Sequence, residues 1–129
     1  MTIEHQQTNR IKKMNAPKKV FVCSPYSGDV VANVIQARAF CRIEVDAGNI
    51  PLAPHLIFTQ FLNDNNPKER DRGIAMGLEL MMLCDELHVY GQSITEGMAR
   101  EINAWRDMGR KEQRVSLSLS LIIKKTDVS

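Results

Sequence analysis

Short apolar runs separated by polar, turn-forming residues predict the strands of this chain. Four such runs lie at residues 19–23, 50–54, 85–91 and 114–121. The first, Lys19-Val20-Phe21-Val22-Cys23, is rich in β-branched residues and ends at Ser24-Pro25, as a buried strand does. Prolines 51 and 54 favour an edge position for the second. The last run alternates with period two, which indicates a strand with one buried face.

Between these strands, apolar residues recur at the spacing of helices. Three helices are predicted, over about 30–47, 67–83 and 95–108. Asp29 is placed to cap the first helix and Gly48 to end it. Its apolar residues are spread over more than one side, so we expect it to be covered on more than one side. Gly73 and Gly77 in the second helix indicate close packing against a neighbour. Residues 55–62 fit either a loop or a helical turn.

Strands and helices that alternate in this way predict a parallel sheet with crossover helices. We therefore expect an α/β fold, a three-layer flavodoxin- or Rossmann-like domain. Its sheet would have four to five mainly parallel strands in the order second, first, third, fourth. The domain is expected over residues 18–124, with a flexible N-terminal tail at 1–17 and a C-terminal tail at 125–129.

Composition narrows the classes of partner. The 129 residues carry a net charge of only +2, and part of it falls before residue 20, so no basic face for a nucleic-acid polymer is predicted. No charged-then-apolar leader and no apolar stretch near twenty residues is present, which favours the cytoplasm and no membrane partner. Cys23, Cys41 and Cys84 lie in apolar runs without a CxxC pair, as reduced, buried thiols do.

The predicted strand order also predicts where a ligand binds. In open parallel sheets the ligand lies beyond the carboxyl ends of the strands, at the point where strand order reverses. Here that point falls between the first and third strands. The segments that face it are Ser24 to Asp29, Gly91 to Gly97 and the turn at Pro54-His55.

The first of these segments, Ser24-Pro25-Tyr26-Ser27-Gly28-Asp29, offers hydroxyls, an aromatic ring and backbone N–H groups at a helix N-terminus. Such a terminus suits phosphate or sugar hydroxyls. A serine–glycine turn with an aspartate cap is equally common as a purely structural element. Neither a Walker A loop nor a GxGxxG fingerprint occurs in the chain.

The segment from Ser93 to Glu101 carries a more specific signal. Ser93 and Glu96 fit a capping box. Glu101 lies inside the helix, where its small neighbours Gly97 and Ala104 leave room for a ligand to approach the carboxylate. A carboxylate in that position is able to attack a sugar carbon or stabilise an oxocarbenium ion. From the residues alone, a solvated or salt-bridged glutamate is an equal reading.

Three stretches together resemble a known family. They are Val20-Phe21-Val22-Cys23-Ser24-Pro25-Tyr26-Ser27, Pro51-Leu52-Ala53-Pro54-His55, and Cys84-Asp85-Glu86-Leu87 leading to Glu96-Gly97-Met98-Ala99-Arg100-Glu101. From Lys19 to about Lys111 the chain is similar to the nucleoside 2-deoxyribosyltransferase-like family. Within that family it resembles a small bacterial and phage branch related to deoxynucleoside 5′-monophosphate N-hydrolases.

The resemblance implies a pocket for a small-molecule nucleoside or nucleotide. It places the nucleophile at Glu101, a hydroxyl that helps to hold a 5′-phosphate at Thr95, the base and sugar beside Tyr26, and a further catalytic residue at His55. It implies no metal and no organic cofactor, and a homo-oligomer. The remaining expected substrate-binding residues are Ser24, Pro25, Ser27, Gly28, Asp29, Ser93, Glu96, Gly97 and Met98.

One departure from the family concerns proton transfer to the leaving base. The family's aspartate, eight residues before the aspartate that opens the third strand, corresponds to Gly77. General acid–base help contributes about 10²–10⁴-fold, so a substitute is needed, and Asp71, Glu79 and His55 are the candidates. The alternative is a catalytically inactive nucleotide-binding or sensor module. Two residues outside the motifs, His88 and Trp105, are expected to be packing residues.

Overall fold

The computed structural model describes residues 16–117. Most of the predicted N-terminal tail, up to residue 15, and everything from residue 118 onward lie outside these described residues. Within them the chain forms four strands and four α-helices. They are β1 (Lys19–Cys23), α1 (Val30–Asp46), β2 (Ile50–Leu52), α2 (Pro54–Ile57), a 3₁₀ turn (Phe58–Gln60), α3 (Pro67–Met82), β3 (Glu86–Val89), α4 (Glu96–Asp107) and β4 (Gln113–Arg114).

The four strands form one all-parallel sheet in the order β2-β1-β3-β4, which confirms the predicted order. Phe21 in β1 pairs with Leu52 in β2 on one side and with Leu87 in β3 on the other. The sheet ends with β2 at one edge, where Pro51 is tolerated because an edge strand has one side free of pairing. The architecture is the expected three-layer Rossmann-like α/β fold.

Three predicted strands are longer than those observed; the third, predicted over 85–91, extends only from Glu86 to Val89. The second ends at Leu52, because Pro54 opens the short helix α2 instead; proline has no N–H to lose in a first helical turn. The last strand, predicted over 114–121, is limited here to Gln113–Arg114. Residues 115–117 are not in a strand, and the rest of that prediction lies outside the described residues.

Each face of the sheet has its own apolar cluster, because successive side chains of a strand point to opposite faces. Phe21, Cys23, Leu87 and Val89 pack against α3 and α4, in a cluster that also contains Trp105. On the other face, Val22 packs with Phe40 of α1 and with Tyr90. The rings of Phe40 and Tyr90 stack at a centroid distance of 4.5 Å. The packing role predicted for Trp105 is confirmed, and the Arg110 guanidinium covers its ring.

The outer side of α1 corrects one expectation. Its apolar residues were expected to be covered on more than one side, yet Val31 is 72% exposed and Ile35 and Val45 are exposed as well. The buried residues of α1 are Ala37, Ala39, Phe40 and Glu44. Across residues 16–117 no helix has the length and apolar character needed to cross a membrane.

A buried polar network links α1 to β3. Glu44 accepts hydrogen bonds from His88 (2.6 Å), Tyr90 (2.5 Å) and Asn49 (2.9 Å). The second ring nitrogen of His88 lies 2.8 Å from Glu86, which pairs with Lys18. His88 is therefore more than the packing residue that was expected, because its ring bridges the carboxylates of Glu44 and Glu86 on the α1 face of the sheet.

The network shifts the pKa values of its members in opposite directions. The hydrogen bond to Glu44 raises the pKa of His88 against the effect of burial, and the bond to Glu86 adds to the increase. Burial alone would raise the pKa of Glu44, but the hydrogen bonds from His88, Tyr90 and Asn49 bring it below its ordinary value. Both shifts favour the charged forms, the His88 imidazolium and the Glu44 carboxylate.

Replacing His88 by Gln should destabilise the protein in a pH-dependent way. Because the pKa of His88 is raised on folding, its contribution is complete below its unfolded-state pKa and is lost as pH rises through the folded-state pKa. We expect His88→Gln to lower the free energy of unfolding by about 1.5–3 kcal/mol at pH 6, and by less at pH 9.

Urea denaturation followed by circular dichroism at both pH values measures the effect. Arg42→Gln is the matched control, since Arg42 forms an exposed pair with Asp46 one helical turn away, and should cost less than about 1 kcal/mol. An equal loss at pH 6 and pH 9 for His88→Gln would show that the charged pair is not what stabilises this face.

Candidate active site

A cavity of about 230 Å³ lies at the carboxyl ends of β1 and β2, between the short helix α2, α3 and the N-terminus of α4. Residues from all three segments that were expected to face a ligand line it, since Ser24, His55 and Thr95 are among them. It brings together nine of the residues predicted for the site. They are Ser24, Tyr26, Ser27, His55, Thr95, Glu96, Gly97, Met98 and Glu101.

Four predicted site residues do not line the cavity. Asp29 caps α1 by accepting from the backbone N–H of Ala32, and Gly28 has φ +98° in the turn before it. Pro25 packs against Gly91, where a Cβ would lie 3.2 Å from its ring, and Ser93 is exposed. These residues shape the turns that carry the site and do not face its interior.

The predicted capping box at α4 is also wrong in detail. The N-cap is Thr95, whose hydroxyl accepts from the backbone N–H of Met98 at 3.2 Å. Since a hydroxyl both accepts and donates, Thr95 keeps its own proton to donate into the cavity. The helix N-terminus beside it, with Glu96 and Gly97, carries the partial positive charge that favours an anionic group.

A second cavity, of about 380 Å³, lies at the ends of β3 and β4 on the α1 side of the sheet. Among residues 16–117 it is lined mainly by apolar side chains such as Phe40, Tyr90 and Val115, with Arg114 as the one charged residue. Within the same described residues, none of the predicted site residues and no carboxylate faces it. The first cavity is therefore the candidate active site.

Glu101 reaches the candidate site from α4, directly beside the end of β1. The Cys23 thiol lies 3.8 Å from the Met98 carbonyl, one turn earlier on the same helix, which fixes α4 against the strand. Burial raises the pKa of Glu101 to about 7, although a hydrogen bond from Cys23 and the charge of Arg100 act in the opposite direction. The carboxylate therefore has little compensation for its loss of water.

Ser24 and His55 form the polar wall next to it. The hydroxyl of Ser24 lies 3.2 Å from Nε2 of His55, and the Tyr26 ring lies 5.7 Å from the imidazole, between centroids. The backbone carbonyl of His55 accepts from the Thr59 hydroxyl at 2.7 Å. Burial lowers the pKa of His55 to about 4, so its imidazole is neutral at pH 7 and serves as a hydrogen-bonding group.

Comparison with family models gives one match. Residues 18–115 match the model described as Domain of unknown function (DUF7768). The chain belongs to this family. The match includes every residue that lines the candidate site. No curated protein and no solved structure matches the chain.

Sequence reasoning missed part of the wall of this DUF7768 domain. Thr59 and Asp64 line the cavity from the segment between α2 and α3, Arg70 lines it from the first turn of α3, and Arg100 lines it from α4. The polar run Asn63 to Asn66 indicates, from its composition, a boundary between elements. Nothing in its composition shows that Asp64 turns toward the end of β1, because that depends on how residues 58–62 fold.

Gly73 and Gly77 show the close packing that their spacing predicts. A Cβ at Gly77 would lie 3.3 Å from Cβ of Pro54, the first residue of α2, and one at Gly73 would lie 3.4 Å from the end of the Leu62 side chain. The missing side chain at residue 77 therefore allows α2 to approach α3 closely. His55, the next residue of α2, is held in the site by that approach.

The two glycines should respond differently to alanine. Gly73→Ala should raise the free energy of unfolding by up to about 1 kcal/mol, because alanine favours the helix and the flexible Leu62 can yield. Gly77→Ala should be less stable than Gly73→Ala by about 1–3 kcal/mol, since the rigid ring of Pro54 has to move. Thermal or urea unfolding of the two variants measures this difference, and equal stabilities would show that α2 adjusts freely.

Glu101 should reduce stability at neutral pH. Its pKa rises from about 4.5 to about 7 on folding, so the folded protein loses stability as pH increases through that window. Glu101→Gln should therefore raise the free energy of unfolding at pH 8 by about 1–3 kcal/mol, and should change it little at pH 4.5.

Unfolding at the two pH values tests the Glu101 prediction, with Glu79→Gln as control. Glu79 is exposed on α3 and does not line the cavity, so its substitution should have little effect at either pH. A loss of stability in Glu101→Gln at pH 8 would mean that the glutamate has a stabilising partner.

Proposed function

We propose that this DUF7768 domain cleaves or transfers the N-glycosidic bond of a (deoxy)nucleoside or its 5′-monophosphate, with Glu101 as nucleophile. The observation that carries the proposal is Glu101 itself, a carboxylate with a raised pKa in a cavity at the carboxyl ends of the strands. Perturbed carboxylates in clefts are typical of catalytic groups. The likeness to nucleoside 2-deoxyribosyltransferases supports the same reaction class.

In the proposed first step, an oxygen of Glu101 attacks the anomeric carbon of the sugar while the bond to the base breaks. The electron pair of that bond leaves with the base, and a glycosyl ester of Glu101 remains. Water then releases the sugar in a hydrolase, or a second base accepts it in a transferase. The small residue Gly97, one turn before Glu101, leaves space for the sugar beside the carboxylate.

The other predicted residues position the substrate. The aromatic ring of Tyr26 offers a stacking surface for the base. Ser24 and neutral His55 supply hydrogen bonds without a charge that would pair with Glu101. A 5′-phosphate is proposed to lie at the N-terminus of α4, where the Thr95 hydroxyl and the helix dipole both favour an anion.

The second candidate is a nucleotide-binding module without catalysis. The observation in its favour is Gly77, which removes the acid that the resembling family uses and whose space is filled by Pro54. Such a module would use the same cavity and would bind a nucleotide without breaking it.

Two further parts of the proposal concern the setting of the protein. We propose a cytoplasmic protein that assembles as a homo-oligomer. The exposed apolar residues Val31, Ile35 and Val45 on the outer side of α1 support association, since a second copy would remove them from water.

Incubation with the four deoxynucleoside 5′-monophosphates and their nucleosides tests the proposed function. We expect chromatography to detect free base with the wild type and none with Glu101→Ala. Because the nucleophile must be ionised, kcat/KM should increase with pH and level off above about 7, the pKa of Glu101.

Glu79→Gln, remote from the cavity, should retain full activity and serves as control. Tight binding of a nucleotide to the wild type, with no release of base, would favour the binding module. Base release that persists in Glu101→Ala would exclude this glutamate as nucleophile.

A further inference from the structure

Two side chains of opposite charge face one end of the candidate site without pairing with each other. Asp64 and Arg70 line the cavity, and both also line a small adjoining cavity of about 30 Å³. Neither side chain forms an ion pair or a hydrogen bond with any of residues 16–117, and both are exposed, so a ligand can reach them. An acceptor and a donor that share one space in this way are available to a ligand that carries both kinds of group.

Their position relative to Glu101 and Tyr26 indicates which part of a substrate they meet. Asp64 and Arg70 line both cavities, but among the described residues Glu101 lines only the larger one. Burial raises the pKa of the Tyr26 phenol and the charge of Asp64 adds to that increase, so these two side chains lie close together. Under the proposed function, on which this inference rests, the base stacks on Tyr26. The edge of the base then faces Asp64 and Arg70.

Local hydrogen bonds hold the backbone that carries the two residues. The side chain of Asn63 accepts from the backbone N–H of Asn65, on either side of Asp64. The side chain of Asn66 caps α3 by accepting from two backbone N–H groups of its first turn, and the carbonyl of Asn66 accepts from the backbone N–H of Arg70 at 2.9 Å. A segment that is positioned before a ligand binds lowers the entropic cost of binding.

The nucleobases differ in the hydrogen-bonding groups along their edges. Guanine, cytosine and adenine carry an exocyclic amino group, which donates to a carboxylate, whereas thymine and uracil have none. Two neighbouring acceptors, which suit the parallel N–H groups of a guanidinium, occur at O6 and N7 of guanine and at O2 and N3 of cytosine. Adenine, thymine and uracil have no such pair of acceptors. Of these five bases, guanine and cytosine therefore match both a carboxylate and a guanidinium.

We propose that Asp64 and Arg70 select a substrate whose base has both an amino group and a pair of neighbouring acceptors, which is guanine or cytosine. Asp64 accepts from the amino group, and Arg70 donates two hydrogen bonds to the acceptors. With adenine, the guanidinium would face an amino group beside a single acceptor. With thymine, the carboxylate would face a carbonyl oxygen. The chemistry at Glu101 is the same for every base, so Asp64 and Arg70 determine specificity and take no part in bond cleavage.

Isothermal titration calorimetry measures this selection separately from catalysis. Glu101→Gln serves as the background, because it lacks the nucleophile and leaves the nucleotide intact. The deoxynucleoside 5′-monophosphate of guanine or of cytosine should bind about 5–150-fold more tightly than those of adenine and thymine, which is the effect of one good bidentate contact. The tighter of the first two identifies the base.

A nucleotide whose base lacks only the amino group separates the two contacts. This analogue carries hypoxanthine in place of guanine, or 2-pyrimidinone in place of cytosine, and each keeps the pair of acceptors. Asp64→Ala should bring the natural nucleotide and its analogue to nearly equal affinity, because the contact with the amino group is lost. Arg70→Met should weaken both by about 5–150-fold and preserve their ratio. The ratio also cancels any change in attraction to the phosphate, which the two nucleotides share.

The next two residues of α3 provide matched controls. Asp71, one of the acids raised by the sequence, and Arg72 are exposed and do not line the cavity. Asp71→Ala and Arg72→Met should therefore change neither the affinities nor their ratio.

The binding measurement and the assay for released base can fail separately. Equal affinities for the four bases, a ratio that survives Asp64→Ala, or an unchanged affinity in Arg70→Met would overturn the selection even if the wild type releases base. Selection that depends on Asp64 and Arg70, in a protein that releases no base, would support the selection and exclude the proposed reaction. If no nucleotide binds, both proposals are wrong.

Discussion

The pairing of β1 with a parallel strand on each side is the constraint on which the candidate site depends. Because β2 and β3 both run in the direction of β1, the chain leaves all three strands at the same edge of the sheet. The residues that follow β1, β2 and β3 are thereby brought together although they are far apart in sequence. Ser24 meets His55, and α4 carries Glu101 to the same place.

The close approach of α2 to α3 then decides which side chains fill this edge. A strand that continued through Pro54 would carry His55 away from β1, whereas the short helix turns it toward Ser24. The absence of a side chain at residue 77 lets that helix pack closely against α3. Gly77 therefore leaves one wall of the cavity without a side chain and helps to bring His55 to another.

The sequence predicted the sheet order, β1 and the three long helices well, since their apolar periodicity and their capping residues are local signals. It predicted less of the site. Ser93 was predicted as the cap instead of Thr95. Both residues carry a hydroxyl close to the helix start, and the sequence does not show at which residue the helix begins. Asp64 was missed because its position depends on residues 58–62, whose pattern fits two conformations and is settled by packing against α3.

The buried Glu44 and the partly buried Glu101 lie on opposite faces of the sheet and have different surroundings. Glu44 accepts three hydrogen bonds, and its pKa falls in spite of burial. Glu101 has a weak thiol donor and the nearby charge of Arg100, and its pKa rises. The fold gives the Glu44 carboxylate three hydrogen bonds and the Glu101 carboxylate little compensation for its loss of water. Of the two, Glu101 is the one that lines the cavity. A carboxylate with so few partners is stabilised when its charge is lost in a bond to a substrate atom. Nucleophilic attack on a sugar carbon forms such a bond.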